Sequence, residues 1–406
     1  MGSSSGAGIG PVAARRATIV LIGLRVFYAY NWFDIGPALP RLGEEFSVGP
    51  AAWGVLLASF FIGAGILQVP AGLLAARWGT RRVAVLGAAL LGVSALAASF
   101  APNFESLVVL RGVSGAGAGL FFSPAIALVA SLHREGQRGV PVGVFSSAYS
   151  AGAGLGVLAT SLLIPLLGWR GSLAVGGLVM LGLLATTVWI PSEAGAPPPR
   201  RDPAAIVIPA ALRSPAVWAI GLAFIGIEGA SLSAGQLFVP YAEAVRGWAP
   251  FLAGAIATLL VFPSFFGGPV GGWMAEAYAN RRTQLAVFSA LAGGLLVLVP
   301  VAPFALLVLI AVAFAFSYGM VYAMMYILPA YLPGLPPEQT PLAIGLFNGI
   351  QLTGGAAIAA LAGWTISAAG YAVGWLVLGG SAAAALAFLV FLPPADPRTS
   401  IARGGL

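Results

Sequence analysis

Long apolar segments recur along this chain, and they constrain its fold more than any other feature. A helix that crosses a bilayer needs about 20 mostly apolar residues, and twelve segments meet that requirement. Only 8% of the residues are charged and the mean hydropathy is +0.97, whereas a soluble domain carries about 25% charged residues. We therefore predict an all-α membrane protein with twelve transmembrane helices. The predicted spans are 17–39, 51–75, 82–101, 105–131, 140–167, 171–191, 215–241, 251–275, 283–302, 304–332, 341–366 and 371–393.

Composition also excludes several kinds of functional site. Cysteine is absent and His133 is the single histidine, so disulfides and thiolate metal sites are excluded and a zinc site is not expected. Lysine is absent as well, so the phosphate-binding motif G-x-x-x-x-G-K-[ST] cannot occur and no ATP-driven step is expected. No predicted span carries a cluster of paired carboxylates. We predict that the protein is not an enzyme and needs no cofactor or metal.

The positions of the arginines predict the orientation in the membrane. Cytoplasmic loops of membrane proteins carry an excess of basic residues. If the N-terminus is cytoplasmic, fourteen of the 19 arginines fall on the cytoplasmic side, and only Arg41, Arg170 and Arg246 fall on the other. We therefore predict a multi-pass protein of the cell membrane with both termini cytoplasmic. The fourteen are Arg15, Arg16, Arg77, Arg81, Arg82, Arg134, Arg138, Arg200, Arg201, Arg213, Arg281, Arg282, Arg398 and Arg403.

A repeat divides the predicted spans into two halves. The segment GLLAARWGTRR begins at Gly72, and GWMAEAYANRR begins at Gly272, an offset of 272 − 72 = 200 residues. Each segment ends the second span of its half. Two parallel six-helix halves with a substrate site between them, near the midplane, are a known transporter plan. The predicted parts are a leader (1–16), an N-terminal half (17–191), a linker (192–214), a C-terminal half (215–393) and a tail (394–406).

The repeated loop resembles the signature of the major facilitator superfamily, roughly G-x-L-x-D-R-x-G-R-R between the second and third helices. The chain departs from this signature at Ala76, where the acid is expected, and at Thr80, where an arginine is expected. The resemblance implies the superfamily's fold, and it implies that this loop latches the two halves on the cytoplasmic side. The residues implied for this gate are Gly72, Arg77, Gly79, Arg81, Gly272, Glu276 and Arg281.

Other segments bear on the branch of the superfamily. Arg111 and Gly115 in LRGVSGAGAG resemble the fourth-helix motif. AGAGLGVLAT resembles the fifth-helix motif, but Val157 stands where antiporters commonly have proline, which argues against a drug antiporter. The phrase ASFFIGAGILQVPAGLLAARWGTRR is similar to the anion-symporter branches.

Three charged residues inside the spans are candidates for proton coupling. A charge in hydrocarbon costs a few kcal/mol unless it faces protein or water, so such residues are functional candidates. Counted at 1.5 Å per residue, Asp34 and Arg111 lie at compatible depths in one half. Their ion pair could act as a proton switch, and the alternative is a permanent pair that fixes two helices. Glu228 is the second candidate proton site, and the alternative is a neutral side chain packed between helices.

Arg25, near the middle of the first span, is the candidate anchor for a carboxylate, because a guanidinium group pairs with carboxylates in bidentate fashion. The alternative is a bond to a backbone carbonyl or an extended position toward the interface. On a straight helix Arg25 and Asp34 point about 180° apart, so we expect Tyr28 and Asn31 to face the cavity centrally, with the charges at its flanks. The predicted substrate-binding residues are Arg25, Tyr28, Asn31, Tyr318, Tyr322, Asn348 and Gln351.

Together these observations favour a proton-coupled secondary transporter of a small organic solute, an organic anion in particular, that works by alternating access. One alternative is a proton-driven exporter of amphipathic drugs or metabolites. Another is a membrane sensor or channel that does not transport. The expected partners are a small-molecule substrate, protons and the lipid bilayer. We expect a monomer. We also expect no binding of nucleic acid, because the arginines lie in short loops and form no basic patch.

Overall fold

The computed structural model describes residues 10–134, 137–192, 194, 210–278, 280–332, 335, 339–384 and 387. Every regular element in these residues is a helix. Residues 1–9 of the predicted leader, residues 195–209 of the predicted linker and the predicted tail 394–406 lie outside the described residues.

The first half contains seven α-helices and one short 3₁₀ helix. They are α1 (Pro11–Phe33), α2 (Ile35–Phe46), α3 (Pro50–Ile66), α4 (Gln68–Trp78), α5 (Thr80–Ala98), α6 (Phe104–Ser131), α7 (Gly139–Ala185) and the 3₁₀ helix Thr186–Trp189. The second half contains α8 (Ala210–Arg213), α9 (Pro215–Arg246), α10 (Pro250–Leu259), α11 (Ser264–Ala277), α12 (Arg281–Leu298), α13 (Phe304–Ile327), the 3₁₀ helix Leu328–Tyr331, α14 (Thr340–Ala369) and α15 (Tyr371–Ala384).

These helices supply the twelve predicted crossings. Three crossings are built from two consecutive helices each, namely α1 with α2, α3 with α4, and α10 with α11. Helix α7 contains two crossings, which separate at Gly168, where φ is +65°. In the described residues, eight helical segments are long and apolar enough to cross a membrane. The first crossing is longer than the predicted span 17–39, because the helical backbone continues to Phe46.

The 200-residue offset seen in the sequence also relates the helix starts. Helices α3 and α10 both begin at a proline, Pro50 and Pro250, and α6 and α13 begin at Phe104 and Phe304. Proline suits the first helical position because it needs no backbone N–H there. The two six-helix halves therefore share one pattern of helix boundaries, as predicted.

Small residues let the helices of each half approach closely. A Cβ atom built on Gly119 of α6 would lie 2.5 Å from the Ala64 carbonyl oxygen of α3. A Cβ atom on Gly156 of α7 would lie 2.6 Å from the Tyr30 carbonyl oxygen of α1. A side chain at either position would push the helices apart.

The two halves pack closely toward one end of the molecule, and α14 also contacts α4 nearer the other end, where a Cβ atom on Gly345 would lie 3.5 Å from the Gln68 carbonyl oxygen. We call the helix ends that carry Arg77, Arg134 and Arg281 the basic face, and the ends that carry Arg41 and Arg170 the opposite face. Three contacts join the halves toward the opposite face. A Cβ atom on Gly36 would lie 2.7 Å from the Gln236 Cα atom, one on Gly54 would lie 2.6 Å from the Ala359 carbonyl oxygen, and Arg41 forms an ion pair of 3.3 Å with Glu243.

Candidate functional site: a cationic cavity between the halves

A cavity of about 550 Å³ lies between the two halves, within the size range of small-molecule sites. Helices α1, α6 and α7 line it from the first half, and α11, α13 and α14 line it from the second. Its wall includes Gly143 near the start of α7, Ile327 at the end of α13 and Ile344 near the start of α14. These helix ends belong to the basic face, so the cavity reaches that face while the halves touch toward the other.

Arg25 is the one charged residue among the described residues that line the cavity. Its side chain is 2% exposed and lies among aromatic rings. Its Cζ atom is 4.4 Å from the ring centres of Tyr28 and Phe122, and 4.8 Å from that of Tyr149. Phe145 lies at 5.6 Å. Aromatic faces attract a cation, so these rings hold the guanidinium group without a carboxylate from the protein.

Two nitrogen atoms of Arg25, Nε and Nη1, are buried and have no hydrogen-bond partner. A buried donor without an acceptor costs about 1–3 kcal/mol. The backbone-carbonyl partner considered for Arg25 is therefore not found for these two atoms. An oxyanion that entered the cavity would supply the missing acceptors and the missing negative charge. The residue thus has the chemistry of an anion-binding site.

Tyr28 and Asn31 do not lie where helical phase alone predicts. Neither residue lines the cavity, whereas Arg25 does. Tyr28 packs against the rings of Trp32 and Phe121, at 5.8 and 5.5 Å. Asn31 is fully buried, and its Nδ2 atom donates to the carbonyl oxygen of Phe27 at 2.7 Å and also toward α7. The positions differ from the prediction because the phase of a straight helix says nothing about how that helix is rotated against its neighbours.

Asp34 and Arg111 form a buried ion pair. The Arg111 Nη1 atom lies 3.2 Å from the Asp34 Oδ1 atom, and both side chains are 2% exposed. Arg111 also donates to the carbonyl oxygens of Asn31, at 2.9 Å, and Trp32, at 3.4 Å. These carbonyl groups precede the break between α1 and α2, which falls at Asp34. Arg111 therefore ties α6 to the broken first crossing.

The pair lies apart from the cavity. Neither Asp34 nor Arg111 lines it, and aromatic rings surround the adjoining stretch of α1. The Trp32 ring centre is 4.7 Å from that of Phe60 and 5.8 Å from that of Phe61. This placement is compatible with a proton switch and with a permanent pair, so the role of the two residues stays a prediction.

Glu228 lies one layer behind the cavity wall. It is 5% exposed, and its Oε2 atom accepts a hydrogen bond of 2.7 Å from the Tyr318 hydroxyl group. Tyr318 itself lines the cavity, whereas Glu228 does not. A ligand in the cavity would therefore reach Glu228 through Tyr318.

A hydrogen-bonded chain connects the remaining predicted residues of the second half. The Tyr322 hydroxyl donates to the Tyr326 hydroxyl at 3.2 Å, and Tyr326 donates to the Asn348 Oδ1 atom at 2.9 Å. The Gln351 Nε2 atom donates to the same oxygen at 2.7 Å. Tyr322 and Tyr326 line the cavity, whereas Asn348 and Gln351 hold them from behind.

Two arginines of the predicted gate each donate a hydrogen bond within their own half. Gly79 has φ of +88°, a conformation that favours glycine, and it joins α4 to α5. The Arg81 Nη2 atom donates to the Thr187 carbonyl oxygen at 3.3 Å, and the Arg281 Nε atom donates to the Ala275 carbonyl oxygen at 2.7 Å. The latch between halves stays a prediction. Gly72, Arg77 and Glu276 are exposed, and Gly272 is half-buried.

Sequence reasoning missed part of the cavity wall. It did not single out Phe122, Phe145 or Tyr149, although all three rings surround Arg25. The hydroxyl groups of Ser146 and Ser147 also line the cavity. The spacing of Phe145 and Tyr149, four residues apart, was the available signal, because residues at that spacing share one face of a helix.

Comparisons with known proteins place a single family model over most of the chain and find relatives that are transporters. The family model described as Major Facilitator Superfamily matches residues 21–335. A gallate transporter of Pseudomonas putida is 28% identical over 186 residues, which are 45% of this chain and 41% of that protein. The 4-hydroxybenzoate transporter PcaK of Pseudomonas putida is 29% identical over 161 residues, 39% of this chain and 36% of that protein.

A lincomycin resistance protein of Streptomyces lincolnensis is 34% identical over 161 residues, 39% of this chain and 33% of that protein. The chain thus spans less than half the length of each of these three relatives. Among solved structures, an inward-facing bacterial homolog of the human lysosomal transporter Spinster superposes with a TM-score of 0.75. It is 17% identical, and the match covers 94% of this chain and 96% of that one, which shows a shared fold.

Proposed function

Because the chain belongs to the Major Facilitator Superfamily, whose members are transporters and not enzymes, we propose that it carries a small organic anion across the membrane. The anion is an aromatic carboxylate, bound through its carboxylate group to Arg25. The observation that carries this proposal is the buried guanidinium group with two unpartnered nitrogen atoms on a cavity wall. A single cationic residue there favours a monoanion.

The walls of the cavity support the aromatic part of the proposal. Phe122, Tyr149 and Phe265 line it, and aromatic rings pack favourably against one another at centroid distances of 4.5–7 Å. Two of the relatives are named for the transport of aromatic acids, gallate and 4-hydroxybenzoate. An aromatic acid would satisfy Arg25 with one end and the rings with its body.

Alternating access is the proposed mechanism. The cavity reaches the basic face, and the halves touch toward the opposite face at Gly36, Gly54 and the Arg41–Glu243 pair. Rocking of one half against the other around the cavity would break these contacts and open the opposite face. The excess of arginine on the basic face supports a cytoplasmic position for that face and for both termini.

Proton coupling is proposed through Asp34, Arg111 and Glu228. The two carboxyl groups are buried, each has one side-chain partner, and they belong to different halves. In the test, Asp34→Asn should abolish uphill uptake of the anion into proteoliposomes under a proton gradient. Counterflow exchange should remain measurable, because it needs substrate binding and rocking but no net proton movement. Uphill uptake at the wild-type rate in Asp34→Asn would overturn the assignment.

The anion site has its own test. Arg25→Gln should weaken the binding of benzoate to the purified protein by at least tenfold, since charge-assisted hydrogen bonds contribute about 1.5–3 kcal/mol each. Unchanged affinity for benzoate in Arg25→Gln would remove Arg25 as the anchor.

A second candidate function is export of amphipathic compounds. The lincomycin resistance relative and the apolar part of the wall, including Phe122 and Ile126, favour it. Arg25 opposes cationic drugs, so an exporter of this kind would take neutral or anionic compounds. Drug-resistance assays in a host that lacks its own pumps discriminate the two functions, because an importer of organic anions would confer no resistance.

A further inference from the structure

The second-half wall of the cavity is formed largely by three tyrosines of α13, and their hydroxyl hydrogens are already committed. Tyr318 donates to Glu228, Tyr322 donates to Tyr326, and Tyr326 donates to Asn348. The tyrosines are four residues apart, so they share one face of the helix. All three line the cavity, as does Arg25 of the first half.

Asn348 fixes the direction of this chain of hydrogen bonds. Its Oδ1 atom is a carbonyl oxygen, which only accepts, and it accepts from both Tyr326 and Gln351. A phenol carries a single hydrogen. Tyr326 donates its one hydroxyl hydrogen to Asn348, so in its hydrogen bond with Tyr322 it is the acceptor. Tyr322 therefore donates its own hydroxyl hydrogen to Tyr326.

The Tyr322 oxygen is therefore an acceptor with unused capacity. It has lone pairs available and no hydrogen left to give, and no donor among the described residues bonds to it. At this point the cavity offers an acceptor, whereas at Arg25 it offers donors. A ligand that matches both ends carries an acceptor at one end and a donor at the other.

We propose that the site selects a hydroxylated aromatic monocarboxylate, with its carboxylate group on Arg25 and its hydroxyl group donating to the phenolic oxygen of Tyr322. This proposal rests on the proposed function and specifies its substrate. An ether at the same ring position only accepts, so it would leave the Tyr322 oxygen buried without a donor. A typical hydrogen bond contributes about 0.5–1.5 kcal/mol, so the hydroxyl group should tighten binding roughly tenfold at most.

The test compares three ligands that differ at one ring position. Binding of 4-hydroxybenzoate, benzoate and 4-methoxybenzoate to the purified full chain is measured by isothermal titration calorimetry. The hydroxylated acid is expected to bind about two- to tenfold more tightly than benzoate, and the methoxy acid no more tightly than benzoate. In Tyr322→Phe, which has no acceptor oxygen, the advantage of the hydroxylated acid is expected to disappear.

Tyr326→Phe gives a prediction of opposite sign. Without Tyr326 as acceptor, the Tyr322 hydroxyl is free to donate into the cavity, so the methoxy acid should gain affinity relative to wild type. Tyr278→Phe is the matched control, because Tyr278 is exposed and lies outside the cavity. Its affinities for all three ligands should equal those of wild type.

The outcomes separate this proposal from the proposed function. If the three acids bind equally, or the methoxy acid binds best to wild type, the proposal is overturned, while dependence of binding on Arg25 would leave the anion site intact. If none of the acids binds, both fail. The proposal is supported by three results together. The hydroxylated acid binds best to wild type, it loses this advantage over benzoate only in Tyr322→Phe, and the methoxy acid gains affinity only in Tyr326→Phe.

Discussion

Arg25 and Arg111 are both buried, but only the replacement of Arg111 with methionine should destabilise the protein. Arg25 has two buried nitrogen atoms without partners, each of which costs about 1–3 kcal/mol. Cation–π attraction to the aromatic rings around Arg25 offsets about 0.5–2 kcal/mol of this cost. Methionine has a similar length and no charge to satisfy, so Arg25→Met should leave the free energy of unfolding unchanged or raise it by a few kcal/mol.

Arg111→Met should lower the free energy of unfolding. The substitution leaves Asp34 buried without its cation and removes the donor to two carbonyl groups of α1. Removing one partner of a buried ion pair lowers the free energy of unfolding by about 3–5 kcal/mol. The difference between the two variants is therefore expected to be at least about 3 kcal/mol, with Arg25→Met the more stable protein.

Thermal unfolding of both variants in the same detergent and without ligand measures the sign of this difference. Benzoate binding is measured in parallel. Arg25→Met should lose at least about 3 kcal/mol of binding free energy, the value of two charge-assisted hydrogen bonds. A melting temperature for Arg25→Met as low as that for Arg111→Met would refute the reasoning, because it would show that Arg25 stabilises the fold.

Three further predictions concern the contacts that hold the opposite face closed and the turn that shapes the gate. Gly36→Val should keep the halves apart at the opposite face. Since the chain has no cysteine, the reporter is Ser161→Cys, which is buried in a second contact between the halves, against Gly254 of α10. This cysteine should react faster with a maleimide in the Gly36→Val background. Arg41→Glu should also speed this labelling, because it opposes Glu243, and the double variant Arg41→Glu/Glu243→Arg should return it toward the original rate. Gly79→Ala should lower the free energy of unfolding by about 1–3 kcal/mol in thermal melts, because its positive φ is strained for alanine.

The features that the sequence predicts correctly depend on local and regular properties of the chain. The twelve crossings follow from apolar length, and the two halves follow from a repeat that also governs the helix starts at Pro50 and Pro250. Counting depth at a fixed rise per residue also brought Asp34 and Arg111 to the same level, where they lie 3.2 Å apart. These inferences need no knowledge of how one helix is rotated against another.

The arrangement around Arg25 needs that knowledge. The glycines of α7 let α1 approach so closely that a Cβ atom on Gly156 would lie 2.6 Å from the Tyr30 carbonyl oxygen, and periodicity does not predict packing of this kind. The rotation of α1 brings Arg25 to the cavity and Asn31 between helices. Helical phase gives the angle between these two side chains but not the absolute direction of either. The sequence could therefore name the candidate residues but could not predict which of them faces the cavity.

The two ends of the proposed ligand site belong to different halves, and this has a consequence for transport. Arg25 lies on α1 of the first half, and Tyr322 lies on α13 of the second. The proposed rocking would change the distance between the halves, so a ligand bonded at both ends would have different contacts in the two conformations. A ligand shifts a conformational equilibrium only through such differential contacts. Benzoate, bonded to Arg25 alone, would shift the equilibrium less than 4-hydroxybenzoate at equal occupancy. The hydroxyl group would then contribute to the choice of conformation as well as to affinity, and the labelling rate at Ser161→Cys, measured with each acid at saturation, reads that contribution directly.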